Sequence, residues 1–306
     1  EQLSKKLGIS RTAVWKHINA LREEGYNIES VNKKGYRLAE KPDDILSSEN
    51  IAYNLPTEFI GKKVIHLDTV GSTNDYAKEI GNKVSGGTLI ISEQQTKGKG
   101  RLGRVWKSKS GDGIWMSLII KPKIEPYKAP FLTLVAGASV VKALSNLDVE
   151  ASIKWPNDII VHNKKICGIL TELSAEMERV NYVVIGIGIN IKTIDFPDEI
   201  KEKATSLYKE GYKLSRVDIV RQFCIEFEKL YKGYILDGNK QDTLELCRKY
   251  SAIIGKQVYV IKNNKRELVK CIDINENGNL IVKEKNGEIQ EIMSGEVSIR
   301  GVKGYV

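Results

Sequence analysis

The hydrophobic pattern of this chain changes period twice along its length, so no single uniform architecture can hold it. Over the first forty residues the apolar positions recur at helical spacing, Leu3 with Leu7 and then Val14, Ile18 and Leu21. From Val64 to about Tyr182, strand-like runs such as Val64 to Leu67, Thr88 to Ser92 and Ile114 to Ile120 alternate with helical stretches, which predicts a mixed sheet with helices. Past Gly255 only short runs remain, broken by Asn263-Asn264, Asn277-Gly278 and Asn286-Gly287, the punctuation of a small antiparallel β-barrel. The expectation is an α+β chain: a module over 1–41, a connector with Pro42 and Pro56 over 42–63, a mixed-sheet domain over 64–247 and a barrel over 248–306. Its 306 residues are more than one comfortable core organises, which agrees with several domains.

The first module reads as a winged helix-turn-helix. Gly8 ends one helix, Ser10 is placed to cap the next, and Gly25 stops it. Arg11, Thr12, Trp15, Lys16 and Asn19 are left pointing outward near the second helix's start, supplying phosphate contacts and base-edge donors for DNA. Two short strands flank Asn32-Lys33-Lys34-Gly35, a turn whose Lys33 and Lys34 would serve as a basic wing. A small helical module that binds protein is the alternative. The opening Glu1-Gln2-Leu3, with no Met, leader or signal core, reads as a trimmed cytoplasmic start, and the helix that would complete such a module is not in this stretch.

Charge sharpens the division. The net +9 sits at the ends: Lys and Arg exceed Asp and Glu by 9 to 5 over 1–41 and by 11 to 7 over 248–306, against 28 to 27 between them. A near-neutral body flanked by modules that meet anionic partners fits that distribution. No apolar run approaches eighteen residues, so no membrane span is expected. Cys167, Cys224, Cys247 and Cys271 are widely spaced inside apolar patterns and read as reduced core thiols. Three histidines, with neither HExxH nor GxSxG, leave zinc and serine hydrolases without their usual supports.

Chemistry concentrates in four segments. Gln94 to Arg104 carries Gly98, Gly100 and Gly103 with Lys99, Arg101 and Arg104; no helix follows it, as a dinucleotide fingerprint requires, and Arg104-Val105 stands where a P-loop needs Lys-Ser/Thr. What remains is a flexible cationic loop suited to a nucleotide or an acyl phosphate. Gly71-Ser72-Thr73-Asn74 lies at a strand-to-helix junction, where it is either a helix cap or a polar ligand site. Lys154 to Asp158 ends a strand, and the hairpin through Asn163-Lys164 brings Lys165 back toward Asp158. Gly186 to Asn190 ends a buried strand with two glycines that admit a ligand to the backbone.

In this order the segments resemble biotin-protein ligases, and with the amino-terminal module the whole chain resembles the bifunctional ligases that double as biotin operon repressors. The resemblance implies a catalytic domain similar to class II aminoacyl-tRNA synthetases and an SH3-like carboxyl-terminal domain. It implies that Ser72, Thr73, Asn74 and Gln95 surround the biotin rings, that Lys99, Gly100 and Arg101 close over biotin and its adenylate, and that Lys165 faces the reacting carboxylate and α-phosphate. Gly98, Gly103, Arg104, Asn157 and Asn190 would neighbour the nucleotide, with Asp158 beside it and Mg²⁺ entering with ATP. One departure is visible: Lys99 stands where the family more often has Arg, keeping charge but losing bidentate geometry.

The implied reaction makes biotinyl-5'-AMP from biotin and ATP, then transfers biotin to a lysine of a biotin carboxyl-carrier protein. Lys165, Arg101 and Asp158 would carry catalysis, Asp158 being the candidate to take the acceptor amine's proton. The adenylate would act as corepressor, favouring a homodimer on operator DNA, in the cytoplasm and away from membranes. Rival readings are a lipoate or octanoyl ligase, a regulator that only senses a small molecule, and an RNA-binding protein using the basic loop with Trp106.

Overall fold

The computed structural model describes residues 2–23, 26–31, 34–40, 44–262, 265–294, 298–302 and 304–306. Gly25, Lys33, Pro42 and the Asn263-Asn264 turn therefore lie outside the described residues. Two compact units result, Glu1–Ser47 and Ser48–Val306.

In the first unit α1 (Gln2–Leu7) ends at Gly8, whose φ of +66° is the left-handed geometry that glycine takes without strain. The Ser10 hydroxyl accepts from the Ala13 amide at 3.1 Å and caps α2 (Arg11–Glu23). A hairpin follows, β1 (Asn27–Val31) against β2 (Gly35–Glu40). Arg22 fastens helix to hairpin: Nε donates to the Ile28 carbonyl at 2.8 Å and Nη2 to the Ser30 hydroxyl at 3.0 Å. Arg11, Thr12, Trp15, Lys16 and Lys34 are exposed. Asn19 is not fully outward, being half-buried with its Oδ1 accepting from Arg22 at 3.2 Å. Leu3 and Leu7 share a face of α1 but stay 42% and 59% exposed.

The second unit opens with α3 (Ser48–Ala52), inside the stretch read as a connector. From Ser48 to Lys63 that stretch contributes to the core of the second unit, with Ile51, Leu55 and Ile60 no more than 1% exposed. Its amides are spoken for as well: those of Glu58, Phe59 and Ile60 donate to the Glu228 carboxylate. Pro56 helped suggest a linker, and long-range polar anchoring makes residues 58 to 60 part of the second unit.

The main sheet runs β3 (Val64–Val70), β4 (Thr88–Gln95), β5 (Gly113–Ile120), β9 (Val180–Asn190), β8 (Lys164–Ala175), β7 (Asp158–Val161) and β6 (Ser152–Lys154) across its width. Only β3 and β4 pair in parallel. All eight residues of central β5 are buried, as its unbroken apolar run requires of a strand covered on both faces. On one face α4 (Thr73–Ile80) packs Ala77 against Ile90, Ile119, Tyr182 and Val184. On the other lies α5 (Phe131–Ser145), apolar all round and backed by α6 (Arg216–Leu236) and α7 (Gln241–Lys249). The segment Pro126–Ser145 has the length and hydropathy of a membrane span, yet 72% of its apolar window is buried within the unit.

A second sheet joins β10 (Gln257–Lys262), β11 (Lys265–Ile274), β12 (Leu280–Lys283), β13 (Ile289–Ile292) and β14 (Ser298–Gly301), all antiparallel, in the order β13-β12-β11-β10-β14. Asn277-Gly278 and Asn286-Gly287 fall at its turns, with Gly278 and Gly287 at φ of +82° and +93°. The boundary expected at 247/248 separates two sheets but not two compact units. Ile153 accounts for part of this: its amide donates to the Tyr250 carbonyl at 2.7 Å and its carbonyl accepts from Ala252 at 2.8 Å. The four cysteines are buried and unpaired, and burial pushes the thiols of Cys224, Cys247 and Cys271 up to about 12, so they stay protonated.

Candidate active site

The strand-to-helix junction after β3 builds one end of the site. Ser72 caps α4 by accepting from the Asp75 amide, and the same turn brings Thr73 and Asn74 to the sheet face beneath. Gln95 accepts from the Thr73 amide at 2.8 Å and donates to Ser108 at 2.9 Å. Ser117, fully buried on β5, donates to Asn74 Oδ1 at 2.6 Å and lies 2.8 Å from the Thr73 hydroxyl, while the Asn74 amide reaches Glu172 at 2.8 Å. Burying so many neutral donors and acceptors around one hollow is costly unless each is paired, and the network pairs them. Gly186 has to be glycine here, because a Cβ would strike Asn74 Oδ1.

Of these groups Ser72, Thr73, Asn74, Gln95 and Gly186 line a hollow of about 50 Å³ together with Lys99, Gly100, Arg101, Trp106, Asn157, Lys165 and Gly188, and Ser117 supports them from behind. That is small beside the roughly 300–1,000 Å³ of an ordinary small-molecule site, with Trp106 and the glycine loop standing in its wall. Trp106 Nε1 is buried without a hydrogen-bond partner and lies where a Cβ on Gly188 would come within 2.6 Å. The hollow adjoins a larger cavity of about 590 Å³ lined by Arg101, Arg104, Lys154, Asp158, Asn190 and Arg300 among others.

Lys165 stands in the wall of both hollows. The register between β7 and β8 shifts at Ile159/Ile160, a bulge of the kind that re-aims side chains beside binding sites. The Lys165 amide donates to the Lys203 carbonyl at 2.8 Å and its carbonyl accepts from Thr205 at 2.9 Å, so its backbone is held from both sides. Its Nζ sits 2.5 Å from Asp158 Oδ1 and 5.1 Å from the Trp106 ring centre. The hairpin thus closes as its spacing predicted. Burial pushes the Asp158 carboxyl up, but the Lys165 ammonium and the Tyr305 hydroxyl outweigh it and hold the group below its ordinary range. The geometry thus makes Asp158 a direct partner of the Lys165 ammonium and of the Tyr305 hydroxyl.

The glycine loop is tied at three points. Lys99 meets both Asp75 oxygens, at 2.8 and 2.7 Å, through a single ammonium. Arg101 donates to Asn157 Oδ1 at 2.8 Å and to the Ser294 carbonyl at 2.6 Å. Asn157 passes its own amide to the Ile169 carbonyl at 3.0 Å, and Asn190 gives its amide to Thr205 at 3.1 Å. Gly98 and Gly103, expected beside a nucleotide, line neither hollow. Gly98 instead packs where a Cβ would strike the Trp106 carbonyl, and Gly103 supplies a φ of +72° for the turn.

Sequence reasoning missed several neighbours. Ser117 and Glu172 sit inside runs that read as plain strand. Ser294, Arg300 and Tyr305 come from the carboxyl-terminal sheet, where no local pattern points at the site. Lys154 is only 2% exposed, with Nζ 2.6 Å from the Tyr305 carbonyl and 3.3 Å from its ring centre. Burial, with Arg300, Lys165 and Arg104 adding to it and Asp158 opposing, lowers that ammonium to about 7. An unfolded lysine keeps its proton to about 10.5, so between those values the unfolded chain binds more protons and stability rises with pH. Lys154→Met should therefore stabilise more at pH 6 than at pH 9; denaturant midpoints at the two values measure this, and a pH-independent difference contradicts it.

Against known proteins the chain matches three family models: an HTH domain over residues 1–37, the Biotin/lipoate A/B protein ligase family over 67–190, and the Biotin protein ligase C terminal domain over 253–300. The Bifunctional ligase/repressor BirA of Bacillus subtilis is 42% identical over 304 residues, covering 98% of this chain and 93% of that protein. Its counterpart in Escherichia coli is 30% identical over 305 residues, at 99% and 93% coverage. The chain belongs to the BirA family of bifunctional ligase/repressors. Among solved structures, biotin protein ligase from Aquifex aeolicus in complex with biotin and ATP aligns with a TM-score of 0.69 at 32% identity, over 78% of this chain and 99% of that one. The part of this BirA-family chain outside the HTH match thus carries the biotin protein ligase fold, and the matched ligase segment spans Ser72 to Asn190, where the site is built.

Proposed function

We propose that this chain is an ATP-dependent biotin-protein ligase and a biotin operon repressor. The observation that carries the catalytic half is Lys165, which with Arg101 stands in the walls of both the small polar hollow and the larger basic cavity. The small hollow suits the biotin rings, hydrogen-bonded by Thr73, Asn74 and Gln95. The larger takes ATP, with Arg104, Lys154 and Arg300 near its phosphates and Asn190 on its wall. Biotin's carboxylate then meets the α-phosphate beside Lys165.

Bringing two anions to about 4 Å costs roughly 1 kcal/mol in water and about 4 kcal/mol at an effective dielectric near 20, so water cannot be excluded unless cations close in too. Lys165 and Arg101 supply them. The carboxylate oxygen bonds to the α-phosphorus, pyrophosphate leaves, and no protein nucleophile is required. An acceptor lysine amine of a biotin carboxyl-carrier protein next attacks the mixed anhydride, forming the amide and releasing AMP. Magnesium enters as the phosphate complex of ATP: the described residues hold no cluster of three metal-ligating side chains, and such a metal keeps mostly phosphate and water ligands.

Architecture completes the proposal: a winged module over 1–41, a catalytic domain of the class II aminoacyl-tRNA synthetase kind, and an SH3-like carboxyl-terminal domain. A lipoate ligase is the weaker reading, because near-full-length similarity runs to ligase/repressors. Mass spectrometry of the protein mixed with biotin and MgATP should show biotinyl-AMP, with lipoate giving no adenylate; the reverse preference overturns the reading. For repression, the adenylate would favour a homodimer that places two basic wings on two operator half-sites. Operator affinity should rise at least about tenfold with biotin and ATP present, since a second tethered module adds avidity. Equal affinity in a gel-shift titration with and without them counts against it.

A further inference from the structure

Tyr305 reaches the reacting end of the site from 147 residues away. It follows β14 and is 8% exposed. The segment turns back on itself, since the Gly301 amide donates to the Tyr305 carbonyl at 3.4 Å and a Cβ on Gly301 would strike the Val306 backbone. The Tyr305 hydroxyl donates to Asp158 Oδ2. Asp158 Oδ1 is the oxygen that meets Lys165, at 2.5 Å. From below, Lys154 holds the Tyr305 carbonyl at 2.6 Å and lies 3.3 Å from the ring centre. The result is one chain of contacts, Lys154 to Tyr305 to Asp158 to Lys165.

We propose that Tyr305 is a positioning residue for adenylation: its hydroxyl fixes the rotation of the Asp158 carboxylate, and that carboxylate fixes the Lys165 ammonium at the reacting centre. A carboxylate with a single partner turns about its last torsion, which is broad and roughly two-fold. Lys154 and Arg104 offer it other cations on the same cavity wall. A hydroxyl on Oδ2 removes that freedom and leaves Oδ1 for Lys165 alone. Burial and the Asp158 charge push the Tyr305 phenol well above 10, so it remains a donor throughout the working range. Tyr305 touches no reacting atom in this scheme. Its consequence is that docking of the carboxyl-terminal segment becomes a condition of the first half-reaction.

The inference rests on the ligase reading, and one experiment separates the two. Biotin-dependent ATP-pyrophosphate exchange is measured on the full chain, on Tyr305→Phe, on Asp158→Asn and on the double variant. Absence of exchange in the unsubstituted chain overturns the ligase reading itself. With exchange present, Tyr305→Phe should lower kcat about tenfold and leave KM for biotin and ATP within about twofold, as misplacement of one catalytic group does. In the Asp158→Asn background the same change should cost less than about twofold, because the hydroxyl then has nothing to orient. Unchanged kcat in Tyr305→Phe, a rise in KM alone, or full multiplication of the two losses each overturns the assignment. A thermal midpoint that falls in Tyr305→Phe while kcat holds does the same, since it marks a purely structural residue.

Discussion

Arg101→Gly should release biotinyl-AMP into solvent and label lysines of unrelated proteins. The guanidinium is the only group on the loop that grips both the Lys154–Asp158 turn, through Asn157, and the second sheet, through Ser294, among the described contacts. Hydrogen bonds from charged groups contribute about 1.5–3 kcal/mol each, and partial exposure of this pair suggests about 3 kcal/mol in total. That corresponds to adenylate escape about a hundredfold faster. The adenylate can be formed in place, the complex passed through a desalting column, and free biotinyl-AMP followed with time beside biotin incorporation into serum albumin. Retention equal to that of the unsubstituted chain would show that the loop closes by other means.

Lys165→Gln should nearly abolish adenylation while sparing recognition of the rings. About 4 kcal/mol of anion repulsion at an effective dielectric near 20 corresponds to about a thousandfold in rate. Biotin affinity, which the proposal assigns to Thr73, Asn74 and Gln95, should stay within about tenfold by calorimetry. The substitution also leaves Asp158 with the Tyr305 hydroxyl and without its closest cation, so its carboxyl should titrate higher than in the parent. Pyrophosphate exchange near the parent rate would remove this ammonium from the mechanism.

Lys99 bonds the loop to Asp75 through a single ammonium. An arginine could clasp Asp75 with two nitrogens; the ammonium meets the same two oxygens from one point, at 2.8 and 2.7 Å. Charge neutralisation survives and Asp75 is held below its ordinary range, burial being outweighed by Lys99 and Lys78. The linkage ties the loop to α4, whose first turn presents Thr73 and Asn74.

Local chemistry made much of this chain legible. Gly8, Ser10 and the apolar triplet Val14, Ile18 and Leu21 specify a helix-turn-helix because caps and periodicity act within a few residues. The Asn163-Lys164 hairpin brings Lys165 back beside β7, where it pairs with Ile160 and its side chain reaches Asp158, and the glycine loop declared itself by composition. Other features depended on the folded chain. The stretch around Pro56 read as a linker until Glu228, some 170 residues away, claimed the amides of residues 58 to 60. Gly98 and Gly103 read as nucleotide neighbours, and the folded chain adds a backbone need at each, a close approach to the Trp106 carbonyl and a positive φ, which glycine in a sequence marks without saying which. Asp158 was legible as a partner of Lys165, but its second partner, Tyr305, lies 147 residues on and no local pattern announces it. Ser294 lies 193 residues from the arginine it holds. Periodicity, caps and turns are short-range and written in neighbouring residues; a buried ion pair or a third partner for a carboxylate depends on which distant side chains share one low-dielectric volume, and only the tertiary structure decides that.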